Sequence, residues 1–103
     1  MTLFGLSEKD IHKINAVFKQ YDAIEEVWIF GSRAKGNYKA NSDIDLALKS
    51  LNTINLTTLQ EIEIKLEELC LPYFFDLINF QLITNVEIKD HINRVGKLFY
   101  KKP

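Results

Sequence analysis

Hydrophobic residues recur along the chain with two alternating periods, one typical of helices and the other of buried strands. Between Ile11 and Tyr21 the apolar positions are three or four residues apart, which predicts a first helix that Ser7 caps and that continues to about Gln20. The continuous apolar run Val27–Phe30 predicts a strand that is buried on both faces.

The next segments are shorter and more polar. Ser32–Lys35 predicts a single helical turn that Gly36 ends, and Asn37–Ser42 predicts a polar loop. Asp43–Leu48 then predicts a second strand.

The remaining part of the chain repeats the helix and strand patterns. Four elements are predicted there: a helix capped by Asn55 and ended before Pro72, a strand over Tyr73–Phe80, a helix capped by Asn85 and ended at Gly96, and an edge strand over Leu98–Tyr100. This order predicts an α/β fold, in which helices flank a small mixed β-sheet, and a single domain spanning residues 1–103.

Composition and charge exclude several classes of function. The chain has 103 residues, of which 47% are hydrophobic and 26% charged, so it has enough apolar side chains for one core. The formal net charge is −1, which argues against stable binding to nucleic acid and against a polymerase that tracks a long template.

The sequence also predicts where the protein works. The single cysteine, Cys70, has no partner for an internal disulfide, and we expect it to be buried in a protein of a reducing compartment. Residues 1–10 carry neither a basic start nor a long apolar run, and nothing in the chain predicts a membrane span. We therefore expect a cytoplasmic protein.

Three carboxylates lie in or beside apolar strands, where an unpaired charge is costly. Asp43 and Asp45 are two residues apart, so in an extended strand they point to the same face, and Asp76 interrupts the next apolar strand. A divalent cation would compensate all three charges, and magnesium prefers such oxygen ligands. The alternative is that Asp43 caps a turn and that Asp45 or Asp76 pairs with an arginine or lysine.

A glycine–serine turn precedes these carboxylates. Gly31 lets the backbone approach a phosphate closely, and Ser32 lies where a helix start presents free N–H groups. Arg33 and Lys35 either lie over the phosphates or are exposed, solvated charges. If the first two strands are antiparallel neighbours, this turn meets the start of the strand that carries Asp45.

These motifs carry a resemblance to a known family. Gly31–Gly36, together with Ser42–Leu46, resembles the signature of the DNA polymerase β-like nucleotidyltransferase superfamily, and most of all its small prokaryotic branch, the minimal nucleotidyltransferases. The resemblance covers nearly the whole chain and implies the polymerase β-like nucleotidyltransferase fold. Small members of this branch are antitoxin partners of HEPN-domain toxins.

The resemblance also implies roles for individual residues. The residues matching Gly31 and Ser32 bind the nucleoside triphosphate, those matching Asp43 and Asp45 bind two magnesium ions, and the one matching Asp76 completes the metal site. We therefore expect Asp43, Asp45 and Asp76 to be both catalytic and metal-binding.

The other positions of the signature are polar. Arg33, Lys35 and Ser42 are included among the residues expected to bind the nucleotide. Lys35 stands where this family frequently has an arginine, so the charge is kept but a bidentate phosphate contact is lost.

The implied reaction is a magnesium-dependent transfer of AMP from ATP, or of NMP from another nucleoside triphosphate, to a hydroxyl. A tyrosine of a partner HEPN toxin is the expected acceptor. The alternatives are a transferase that modifies a small molecule of the aminoglycoside type and a non-catalytic module that binds a nucleotide or a partner.

Overall fold

The computed structural model describes residues 2–50 and 52–103, in which helices and strands alternate. In chain order the elements are β1 (Thr2–Leu3), β2 (Leu6–Ser7), α1 (Glu8–Phe18), β3 (Ile24–Phe30), α2 (Gly31–Lys35), β4 (Ile44–Ser50), α3 (Leu56–Glu67), β5 (Phe75–Asn79), a 3₁₀ turn (Phe80–Leu82), α4 (Val86–Val95) and β6 (Lys97–Lys101). The predicted order of helices and strands is confirmed, and the predicted bounds are shifted by a few residues.

The three longer helices begin where the sequence predicts. The side-chain oxygens of Ser7, Asn55 and Asn85 each accept a hydrogen bond from the backbone N–H three residues downstream, at 3.1, 2.8 and 3.2 Å. Each bond satisfies an N–H that the first helical turn leaves without a carbonyl partner. Local sequence therefore sets these helix starts.

Four strands form one mixed sheet in the order β5–β4–β3–β6. β3 is antiparallel to both β4 and β6, whereas β4 and β5 are parallel and are connected through α3. β6 lies at one edge of the sheet, as expected for the segment around Leu98–Tyr100. The short hairpin of β1 and β2 was not predicted, because two-residue strands have no measurable period.

The two faces of this sheet are buried to different extents. Val27 and Ile29 of β3 are fully buried among core residues that include side chains from α1 and α3. On the opposite face, Trp28 and Phe30 are only half-buried under α4. The expectation that this strand is buried on both faces is therefore wrong, because α4 leaves part of the second face open.

Two further expectations concern single segments. Cys70 is exposed rather than buried, because α3 ends at Glu67 and Cys70 adopts a left-handed φ of 57°, so the helical repeat of the apolar stripe does not extend to it. β5 is shorter than the predicted strand Tyr73–Phe80, since Phe80 already belongs to the 3₁₀ turn. In the described part of the chain, no helix has both the length and the apolar character needed to cross a bilayer.

Loss of a helix cap gives a direct test of these boundaries. Asn55→Ala removes the acceptor for the Thr58 N–H, and we expect it to lower the free energy of unfolding by about 1 kcal/mol. Urea denaturation monitored by circular dichroism measures this change. Asn93→Ala, at an exposed position inside α4, is the control and should be neutral or slightly stabilising. Equal stability of the Asn55 variant and the wild type would contradict the assignment.

Candidate active site

The parallel pairing of β4 and β5 places two carboxylates side by side. Asp45 is the direct register partner of Asp76, and neighbouring strands in a sheet are only about 4.8 Å apart. On the other side, Asp45 pairs with Phe30, the last residue of β3. Both carboxylates therefore lie at the end of the sheet where β3 runs into α2.

Asp43 completes the predicted group of acids from outside the strand. It is exposed and directly precedes β4, whereas Asp45 is partly buried within β4. The two side chains are close enough for the charge of Asp43 to influence the ionisation of Asp45. The structure thus brings all three predicted acids to one end of the sheet.

Asp45 has an unusual ionisation for an aspartate. Burial, followed by the negative charges of Asp76 and Asp43, raises the pKa of Asp45 from 3.8 to about 6, while Arg33 opposes this rise. Within residues 2–50 and 52–103, none of the three acids forms a salt bridge with a lysine or an arginine. The alternative in which Asp45 or Asp76 has such a partner is therefore wrong.

The donor set fits a hard divalent cation. Carboxylate oxygens are the ligands that Mg²⁺ prefers, and the mutual repulsion at Asp45 is what a bound cation would relieve. The described residues contain no ready-made cluster of three or more His, Cys, Asp or Glu side chains at metal-binding distance. A magnesium site commonly uses one or two carboxylates together with substrate phosphates and waters.

Gly31 lies directly against Asp45. It has a φ of 73°, and a Cβ added there would collide with the Asp45 Oδ2 atom. The backbone at the start of α2 can approach the carboxylate this closely only because the residue lacks a side chain. The glycine–serine turn and the predicted metal ligands are therefore adjacent.

The other predicted polar residues differ in how exposed they are and in what they contact. Ser32 is half-buried in the first turn of α2, and no side chain caps this helix. Lys35 is exposed in the last turn of α2. The Ser42 hydroxyl accepts a hydrogen bond from the Lys39 N–H at 2.8 Å, so one of its functions is to hold the loop.

The position of Arg33 contradicts both expectations for this residue, namely a side chain that lies over the phosphates and an exposed, solvated charge. Its side chain is neither spread over a phosphate site nor solvated, because the residue is only 2% exposed. The guanidinium donates hydrogen bonds to the carbonyls of Phe4, Ala40 and Ser42 at 2.9–3.3 Å. These four hydrogen bonds use most of the five N–H donors of the guanidinium, which a phosphate would otherwise bind.

The partners of Arg33 could not be predicted from the sequence. The centre of its guanidinium is 5.2 Å from the centroid of the Tyr38 ring and 4.8 Å from that of Tyr73. Tyr38 lies in the predicted polar loop and Tyr73 begins the predicted strand Tyr73–Phe80, but no role is predicted for either side chain. The carbonyl of Phe4 belongs to a hairpin turn that periodicity does not detect. Backbone carbonyls carry no residue-type signal, so sequence reasoning could not have found them.

Comparison with known proteins supports a family assignment. The family model described as "Polymerase beta, Nucleotidyltransferase" matches residues 12–103. A protein of Haemophilus influenzae, described as a probable protein adenylyltransferase MntA, is 27% identical over 105 aligned positions, which cover 99% of this chain and 91% of that protein.

Solved structures show the same fold. A crystal structure of a toxin–antitoxin with AMP-PNP matches with a TM-score of 0.73 and 23% identity, over 94% of this chain and 75% of that chain. A complex of a tri-AMPylated Shewanella oneidensis HEPN toxin with an MNT antitoxin matches with a TM-score of 0.70 and 18% identity, over 92% of this chain and 72% of that chain.

The close approach of Gly31 to Asp45 predicts that substitution by alanine lowers the free energy of unfolding by different amounts at Gly31 and at Gly36. Gly31→Ala adds a collision with the carboxylate to the strain of a left-handed residue, whereas Gly36→Ala, with a φ of 87° and open space around it, adds strain alone. We expect the Gly36 variant to lose about 1 kcal/mol of unfolding free energy and the Gly31 variant clearly more. Chemical denaturation of both measures this. Equal losses would contradict the contact.

The raised pKa of Asp45 predicts a pH-dependent stability in the metal-free protein. Between about pH 4 and pH 6 the unfolded chain releases this proton before the folded one does, so wild-type stability falls as the pH rises through this window and then levels off. Asp45→Asn removes the repelling charge, so this variant should be more stable than the wild type above pH 6, and the difference should shrink towards pH 4. Urea titrations with EDTA measure this.

The control for this titration is Asp90→Asn, which removes an exposed carboxylate paired with Arg94. Its stability should follow the wild-type pH dependence. If the Asp45 and Asp90 variants show the same pH dependence, Asp45 does not titrate near pH 6.

Proposed function

The chain belongs to the polymerase β-type nucleotidyltransferase family, and from this we propose that it transfers AMP from ATP to a hydroxyl of an acceptor protein in a magnesium-dependent reaction. The observation that carries the proposal is the register of Asp45 with Asp76 beside Gly31. Acids that share one end of a sheet with an open helix start suit the binding of a cation together with a phosphate chain.

The acids have distinct roles in the proposed mechanism. Asp43, Asp45 and Asp76 would hold magnesium, which when bound neutralises phosphate charge and makes the acceptor hydroxyl more acidic. Asp45, which is partly buried, would orient the α-phosphate side of the site. Asp76 lies on the edge strand β5, where an acceptor can approach, and would help to take the hydroxyl proton.

The turn at Gly31 and Ser32 would bind the triphosphate. The backbone there is accessible because Gly31 has no side chain, and Ser32 can donate its hydroxyl proton to a phosphate oxygen. Lys35 would supply a mobile positive charge. Ser42 would contribute mainly by shaping the loop that precedes Asp43.

The bond changes of the proposed reaction are those of an in-line displacement. The acceptor oxygen forms a bond to the α-phosphorus as the bond from that phosphorus to the bridging oxygen of the β-phosphate breaks. The acceptor proton passes towards Asp76, and pyrophosphate leaves with the electron pair of the broken bond. The product is a phosphodiester between AMP and the acceptor.

A protein tyrosine is the acceptor that we propose. The support is the Haemophilus influenzae relative named as a probable protein adenylyltransferase and the similar fold of an antitoxin found with a tri-AMPylated HEPN toxin. In this proposal the chain acts in the cytoplasm as the antitoxin of an all-helical HEPN toxin.

A label-transfer experiment tests the proposal. Lysate of the source cell is incubated with α-labelled ATP and magnesium, together with wild-type protein, Asp45→Asn or the surface control Asp90→Asn. We expect one labelled protein band with the wild type and with the control, and a loss of at least about a hundredfold with Asp45→Asn. Mass spectrometry of the band should place AMP on a tyrosine.

The other outcomes distinguish the alternatives. Label that appears only in small molecules would indicate a transferase of the aminoglycoside type. No label with any of the four nucleoside triphosphates, together with a partner complex that still forms, would indicate a non-catalytic binding module. Either result would overturn the proposed function.

A further inference from the structure

Arg33 is a buried charge that the proposed reaction does not use directly. We propose that Arg33 is a positioning residue, which holds the loop leading into Asp43 at a defined place relative to α2 and its glycine–serine turn. The expected effect of Arg33 on catalysis rests on the proposed function, whereas its expected effect on the position of the loop does not. Three sets of contacts support it.

The first set joins α2 to the loop. Arg33 Nε and Nη2 both donate to the Ser42 carbonyl, at 3.1 and 2.9 Å, and Nη2 also donates to the Ala40 carbonyl at 3.3 Å. Ser42 is bonded to Asp43, so this forked contact lies one peptide away from the first candidate metal ligand. Residues 37–43 contain no helix or strand that could place them otherwise.

The second set joins the same guanidinium to the β1–β2 hairpin. Arg33 Nη1 donates to the Phe4 carbonyl at 3.0 Å. Gly5 follows with a φ of 75°, and a Cβ there would collide with the Tyr38 ring and come within 2.8 Å of Arg33 Nη1. The hairpin turn is thus fitted closely around the guanidinium.

The third set reaches the strand that carries Asp76. The guanidinium lies over the rings of Tyr38, in the loop, and Tyr73, two residues before β5 begins. A cation over an aromatic face is attracted by the ring, more strongly where water is excluded. One side chain therefore contacts segments that lead into Asp43 and into Asp76, from a helix that begins at Gly31.

Arginine suits this position and lysine does not. A planar guanidinium has five N–H donors in a fixed fork and stays charged when buried, so it can serve several carbonyls at once. A lysine ammonium has three donors at one point, and its shorter reach cannot serve carbonyls in two separate segments. Arg33→Lys should therefore keep the positive charge but lose the simultaneous hydrogen bonds to carbonyls in separate segments.

The test compares the two arginines of the chain. Arg33→Lys is the variant, and Arg94→Lys, on the exposed face of α4 with Asp90 as its partner, is the matched control. Thermal unfolding first defines a temperature at which both variants are fully folded. Hydrogen–deuterium exchange of the ligand-free proteins is then measured there, followed by kcat and the KM for ATP across a magnesium titration.

We expect faster exchange in Arg33→Lys at residues 37–43, by roughly tenfold or more, with α1 and α3 unchanged. We also expect kcat to fall by roughly ten- to a hundredfold while the KM for ATP changes little, because misplaced ligands affect the transition state more than nucleotide binding. The magnesium concentration for half-maximal rate should rise. The Arg94 control should match the wild type in all three measurements.

Two results would overturn the proposal. One is a folded Arg33→Lys protein whose loop exchange and kcat equal those of the control. The other is a loss of activity that only follows the unfolded fraction, since this would be a purely structural effect. If Arg33→Lys does not fold, Tyr38→Leu replaces it: this variant removes one ring from the guanidinium, and unchanged exchange at residues 37–43 would then reject the inference.

The design separates this inference from the proposed function. Exchange in the ligand-free protein does not depend on any reaction, so it reports on the loop even if the wild type transfers no label. A wild type without activity, together with a loop loosened by Arg33→Lys, would reject the proposed function and keep Arg33 as the residue that holds the loop.

Discussion

The antiparallel pairing of β3 and β4 is the constraint on which the candidate site depends. It joins Phe30 to Asp45, so the chain leaves β3 and enters α2 beside one of the three candidate acids. Gly31 is needed at this junction because Asp45 occupies the space of a side chain. The parallel register of β4 with β5 then adds Asp76. Two backbone registers thus assemble residues that are up to 46 positions apart in sequence, from Phe30 to Asp76.

The arrangement is electrostatically unfavourable without a ligand. Burial and two neighbouring carboxylates raise the pKa of Asp45 to about 6, and no basic side chain in the described ranges forms a salt bridge with it. Such uncompensated charge is common at functional sites, where the stability lost in the free protein is recovered when a cation binds. Arg33 moderates the repulsion from a distance while its donors serve the backbone.

Two features of the site depend on contacts that no local pattern records. Arg33 lies in a polar hexapeptide, so its sequence context favoured an exposed or phosphate-binding side chain. Its burial results from carbonyls of Phe4 and Ala40, which belong to two loops at distances of 29 and 7 residues along the chain. The half-burial of Trp28 likewise depends on how much of the sheet α4 covers, which the apolar run around it does not specify.

The sequence by itself determined the helix starts at Ser7, Asn55 and Asn85 and the order of the elements. Each of these results from interactions within three or four residues or from the two-residue repeat of a strand. Only the tertiary structure decided the pairing of Asp45 with Asp76 and the contacts of Arg33. The physical reason is that strand register and buried hydrogen bonds depend on which distant segments pack together, and the free energy of that packing is shared by the whole core.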